Sequence, residues 1–145
     1  MPNADPAPER EKPTFVSSDA WVLLSIAMGD GGDGASLRDI IAVGDYINHA
    51  IMTLQELQGG LARLVQVGYV REVAGKFAVV GAAREFWMAL WRNHKRRAGL
   101  RLWDDLEEFL EVTPGACAAK MAQQTYPGVN AETVEAAYQE YLRSF

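Results

Sequence analysis

From Leu37 to Val80 the apolar positions follow a helical period twice and then a strand period. Leu37, Ile40, Ile41, Gly44, Ile47 and Ile51 recur at helical spacing, with Arg38, Asp45 and Asn48 on the other face. Ser36 stands before this stripe with Asp39 three residues on, so a capped helix is predicted from Leu37 to about His49, which reads as a helix-terminal side chain bonded to backbone. Thr53-Leu54-Gln55-Glu56 is a complete capping box, and Leu54, Leu57, Leu61, Leu64 and Val65 form the inward face of a second helix that Gly68 ends. Tyr69–Val73 and Lys76–Val80 are rich in strand formers and flank Ala74-Gly75, which predicts a short β-hairpin. A two-stranded hairpin is marginal alone and has to lean on the helices before it.

The same periodicities extend to both sides. From Trp21 to Met28 only Ser25 is polar, so this segment reads as a helix surrounded by others, with Ser17 or Ser18 as its cap and Asp19 in its first turn. Four glycines between Gly29 and Gly34 make a loop; its two aspartates lack the ligand spacing of a calcium site. Ala83, Phe86, Trp87, Leu90, Trp91 and His94 trace a helix to about Arg97, and Leu102, Trp103, Leu106, Phe109 and Leu110 trace another, stopped by Thr113-Pro114-Gly115. A short helix is open between residues 115 and 124, and Pro127-Gly128 reads as a turn. Asn130 caps a last helix lined by Val134, Ala137, Tyr138, Tyr141, Leu142 and Phe145. Residues 1–14, with prolines at 2, 6, 8 and 13, are expected to form a mobile tail.

The passage Leu61–Val70, Leu-Ala-Arg-Leu-Val-Gln-Val-Gly-Tyr-Val, runs from a capped, leucine-rich helix into the hairpin. With the capped helix before it, this layout resembles the winged helix-turn-helix superfamily, in particular small bacterial regulators of the MarR and PadR type. The resemblance spans about half the chain. It implies a mostly α fold with a small β-hairpin: a winged-helix core over residues 15–97 and additional C-terminal helices over 98–145 that pack on the core or mediate dimerisation. In that superfamily the second of the paired helices enters the major groove and the wing touches phosphate. Carried onto this sequence, the DNA-contacting residues would be Thr53, Gln55, Gln58 and Arg63 on the helix, with Arg71 and Lys76 on the wing. The partner implied is double-stranded DNA, bound by a homodimeric transcriptional regulator.

Charge complicates that picture. The 145-residue chain carries a formal net charge of −5, and residues 53–80 hold three cations against two carboxylates, where phosphate neutralisation favours several cations. Gly59-Gly60 inside the second helix costs roughly 1 kcal/mol per glycine relative to alanine, so close packing against a neighbouring helix or a partner is expected there. The alternative is therefore a winged helix turned protein-protein interaction module that binds no DNA. The basic residues between Arg92 and Arg101 are answered by five carboxylates between Asp104 and Glu111, which reads as a self-paired surface, and the Trp87–Trp91 stripe reads as core or dimer packing in preference to a ligand pocket.

Chemistry narrows the function classes further. Cys117 is the only cysteine and the two histidines have no ligand spacing, so neither a disulfide nor a metal site is expected. No phosphate-cradling glycine motif or nucleophile elbow occurs, no cofactor is expected, and the chain does not read as an enzyme. No apolar run approaches the roughly 18 residues of a membrane span, and residues 1–13 lack the apolar stretch of a secretory signal. No membrane partner and a cytoplasmic location are the expectations.

Overall fold

The computed structural model of the chain describes residues 15–93, 99–112 and 126–145, with only the backbone given for 99, 100 and 112. The expected N-terminal tail, the short helix between 115 and 124, Cys117, and the Lys95–Arg97 part of the basic run lie outside them. Among the described residues there are six helices: α1 (Ser17–Gly29), α2 (Leu37–Asn48), α3 (Leu54–Gln66), α4 (Gly81–Asn93), α5 (Gly99–Val112) and α6 (Ala131–Arg143). One two-stranded antiparallel sheet, β1 (Val70–Val73) with β2 (Lys76–Val79), lies between α3 and α4. The architecture is mostly helical with a small sheet. None of the described helices is long and apolar enough to cross a membrane.

Helix α1 is the hub, packing against α2, α3, α5 and β2. Its Val22, Leu23, Leu24 and Ile26 are buried, as the nearly unbroken apolar run requires. The expected serine cap is absent. Ser17 is already the first helical residue, Val16 is the cap position, and the Asp19 carboxylate accepts the Val16 N–H at 3.0 Å. Trp21 stacks on Trp103 of α5, ring centroids 5.6 Å apart, and its indole N–H donates to the Gly44 carbonyl of α2 at 3.1 Å. A β-carbon at Gly44 would come within 3.3 Å of that indole nitrogen, so the glycine in the α2 stripe is what lets the two helices approach.

Helices α2 and α3 begin with reciprocal capping boxes, Ser36 with Asp39 and Thr53 with Glu56. His49 ends α2 through its own backbone, in left-handed conformation with φ 55° and its N–H on the Asp45 carbonyl. Helix α3 ends in a Schellman arrangement: the Gly68 N–H meets the Val65 carbonyl and the Tyr69 N–H the Leu64 carbonyl. The hairpin pairs Val70 with Val79 and Glu72 with Phe77, closed by Ala74 and Gly75, both at positive φ as a type I′ turn needs.

The glycine loop has a structural role. The Asp30 carboxylate accepts the N–H groups of Gly32 and Gly34, each at 2.8 Å, and turns the chain so that Ala35 exchanges two 2.8 Å backbone hydrogen bonds with Phe77. One residue before α2 thus serves as a third strand, anchoring the hairpin that would be marginal alone.

The C-terminal helices share the central core. Leu102, Leu106, Phe109 and Leu110 of α5 join the buried cluster of α1–α3, and Phe109 lies between Tyr69 and Phe86. Helix α6, capped by Asn130 as expected, packs on α2, where the Tyr141 hydroxyl donates to Asp45 at 2.6 Å. Part of the polar α2 face read as outward is therefore covered.

Gly34 has φ +97°, and a β-carbon there would sit 2.9 Å from the Lys76 β-carbon and 3.3 Å from the Phe77 carbonyl oxygen. Gly34→Ala is expected to destabilise the fold by about 1–3 kcal/mol, read as a lower urea midpoint; an unchanged midpoint would show that the Ala35–Phe77 anchor is dispensable.

Candidate interaction surface around the third helix

A helix that reads base edges must present one side to solvent. In α3 only Gln55 and Gln66 are exposed, while Leu57 and every residue from Gly59 to Leu64 are buried. Packing against α1 explains much of this. A β-carbon at Gly60 would lie 3.0 Å from Cγ2 of Val22, so the glycine sets how closely α3 can press onto α1. A β-carbon at Gly59 would lie 2.8 Å from Nη2 of Arg63, one turn on, because the guanidinium folds back across the bare helix surface. The Gly59-Gly60 patch is thus an internal packing device.

Among the residues expected to contact DNA, Arg63 is the one that the fold buries. Its side chain is 8% exposed and forks onto Asp19, which is fully buried: Nε donates to Oδ2 at 2.7 Å and Nη2 to Oδ1 at 2.8 Å. The pair is bidentate, the strong form of a guanidinium–carboxylate contact. The physical reason for the pairing is desolvation: once Asp19 is buried, its charge requires a partner, and Arg63 is a cation delivered to it by the glycine pair. Asp19 itself was legible only as a first-turn acid; the missed signal is that it is the single charge on an otherwise apolar helix.

The other expected residues divide. Gln58 is half-buried and donates through Nε2 to the Val129 carbonyl at 2.6 Å, so its amide is engaged by the turn before α6. Lys76 reaches Asp33 of the glycine loop at 3.4 Å. Thr53, Gln55 and Arg71 are exposed, although the Thr53 oxygen accepts the Glu56 N–H at 3.1 Å in the capping box. With Arg63 withdrawn, residues 53–80 offer two cations against Glu56 and Glu72, a surface without net charge.

The segment before α6 ties the hairpin to α3. Tyr126 packs edge-on against Phe77, and its hydroxyl donates to Glu72 of β1 at 2.7 Å. Burial, and then the neighbouring Glu72 carboxylate, push the Tyr126 phenol up from 10.0 to about 12. Nearby, α6 and the α2–α3 link enclose an apolar groove of about 470 Å³ between Ile41, Met52, Leu54 and Val134, with Thr53 and Glu135 on its edge. Among the described residues no group of three His, Cys, Asp or Glu could hold a metal ion.

Comparison of the sequence with protein-family models, and with curated proteins and solved structures, returns no significant match.

Two outcomes follow from this geometry. Arg63→Met leaves a buried carboxylate without its cation and is expected to cost about 3–5 kcal/mol in urea unfolding, whereas the double change Asp19→Leu with Arg63→Met recovers most of that loss. The Tyr126 phenol is held neutral in the fold, so its contribution to stability is complete below pH 10 and fades as pH rises through about 12. Alkaline absorbance titration should show a tyrosine step near 12 that Tyr126→Phe removes.

Proposed function

We propose that this chain is a winged helix-turn-helix scaffold used for protein recognition, with its third helix committed to internal packing instead of base reading. The winged-helix reading is supported by the order α1, α2, α3, hairpin, by the one-residue strand at Ala35 that joins the hairpin, and by the two capping boxes. The observation that carries the functional half is the buried Arg63–Asp19 fork. Withdrawing Arg63 to reach DNA would strand Asp19 at about 3–5 kcal/mol, while a good bidentate arginine–guanine contact returns about 1–3 kcal/mol. The exchange is unfavourable even before the weak phosphate attraction of an uncharged surface is counted.

A second reading, DNA contact led by the wing, is favoured by the exposure of Gln55 and Arg71. Fluorescence anisotropy of a labelled duplex at low ionic strength separates the two. The protein-recognition reading expects no saturable binding at protein concentrations on the order of 10 μM, within the usual range of non-specific affinity. Salt-dependent binding that Arg71→Ala weakens would establish the DNA reading instead. The positive test is capture from nuclease-treated lysate followed by reconstitution of the captured protein with the purified chain, expected to give saturable binding that nuclease does not affect.

A further inference from the structure

The groove between α6 and the α2–α3 link is open to solvent, and its rim carries charge of one sign. Ala131, Val134 and Tyr138, at helical spacing on α6, form one wall, and Ile51 and Leu54 stand on the other, with Ile51 38% exposed. The volume of about 470 Å³ falls within the roughly 300–1,000 Å³ typical of sites that enclose a bound group. Glu135 is the single charged residue lining it. At about 100° per residue, Glu132 lies on the same solvent flank of α6, one turn before Glu135. Both are exposed, and among the described residues neither carboxylate has a cation within ion-pair distance.

The Gln139 amide donates from Nε2 to Oε2 of Glu135 at 2.8 Å and holds that carboxylate along the flank. Glu140 adds a third carboxylate to α6, whose only cation, Arg143, is its last residue. An apolar side chain entering the groove therefore passes an anionic rim. A partner that carries a cation beside its apolar groups is attracted there, and one that carries a carboxylate is repelled. From Ala131 to Tyr138 the α6 wall rises about 10 Å, the rise between positions i and i+7 of any other helix. That is the reach of the i, i+3 or i+4, and i+7 anchors by which an amphipathic helix fills an apolar groove.

We propose that this groove docks a basic amphipathic helix of a partner protein, with its apolar anchors between α6 and the α2–α3 link and its lysine or arginine side chains against Glu132 and Glu135. Charge complementarity selects that occupant. An acidic helix meets like charge at the rim, and duplex DNA brings phosphates to the same carboxylates with no apolar side chain for the groove. The kind of partner is taken from the protein-recognition reading, and the two fail separately, because a titration with a purified peptide contains neither DNA nor lysate protein. A chain that captures its partner through another surface keeps that reading and loses the docking site.

The probe is a synthetic helix of leucine and lysine, with the leucines on one face, and the control is the same helix with glutamate for lysine. Each is titrated into the isotopically labelled full chain and followed by amide NMR shifts. The Leu–Lys helix is expected to bind saturably, with the largest shifts at Ile51, Leu54, Val134 and Tyr138. Reversing the rim, Glu132→Lys with Glu135→Lys, should weaken it by about tenfold or more and confer binding of the Leu–Glu helix. Asp104→Lys with Glu108→Lys makes the same change of net charge at exposed positions of α5 and should alter binding by less than about twofold. Ile51→Ser removes apolar surface from an exposed position and should weaken binding while far-UV circular dichroism matches the parent. No saturable binding, shifts centred away from the groove, equal binding of the Leu–Glu helix, or equal loss from the two charge reversals would each overturn the docking site. Groove shifts that follow chain concentration without peptide would overturn it too, in favour of a second copy as the occupant.

Discussion

The ion pair between Asp19 and Arg63 ties together features that otherwise look unrelated. Asp19 terminates α1 from inside the protein, taking the Val16 N–H as well as the guanidinium. Burying a carboxylate is costly unless it is paired and hydrogen-bonded, so the fold is built around supplying both. The two glycines of α3 follow from this need. Gly60 lets the helix close on Val22, and Gly59 leaves the space over which Arg63 folds back. A helix of ordinary composition could satisfy the leucine stripe, but it could not bring its arginine to that depth.

A second layer of constraint is aromatic. Trp21 is held between Trp103 and the Gly44 carbonyl, and Phe109 is sandwiched by Tyr69 and Phe86. These contacts join α1, α2, α4 and α5 around the end of α3, and they make the later helices part of one core with the earlier ones. The hairpin is held on its open side by Ala35 and over Phe77 by Tyr126. Its exposed tip carries Arg71 and Val73 but little net charge.

The two helices that flank the hairpin differ in what covers them. The α3 surface is occupied by α1 and by the turn at Val129, whereas α4 turns Met88 and Trp91 to solvent. Apolar side chains at helical spacing on an exposed face are the ordinary signature of an interface, and charged residues on its flanks give it orientation.

Local physics was legible without coordinates. The capping boxes at Ser36 and Thr53, the asparagine cap at 130, the stop at Gly68 and the hairpin about Ala74-Gly75 depend on residues within a few positions of each other, and each stands where those residues place it. The apolar stripes likewise identify most of the core, because burial follows periodicity. What the chain order could not show is which polar groups meet across long separations. Asp19 and Arg63, Glu72 and Tyr126, Asp45 and Tyr141 are pairs joined only by the packing of helices, and each uses a side chain that reads as surface when taken alone. Arg63 had the composition of a DNA contact and the spacing of an exposed residue; its burial was decided by a lone carboxylate forty-four residues earlier, for which low-dielectric surroundings demand a cation.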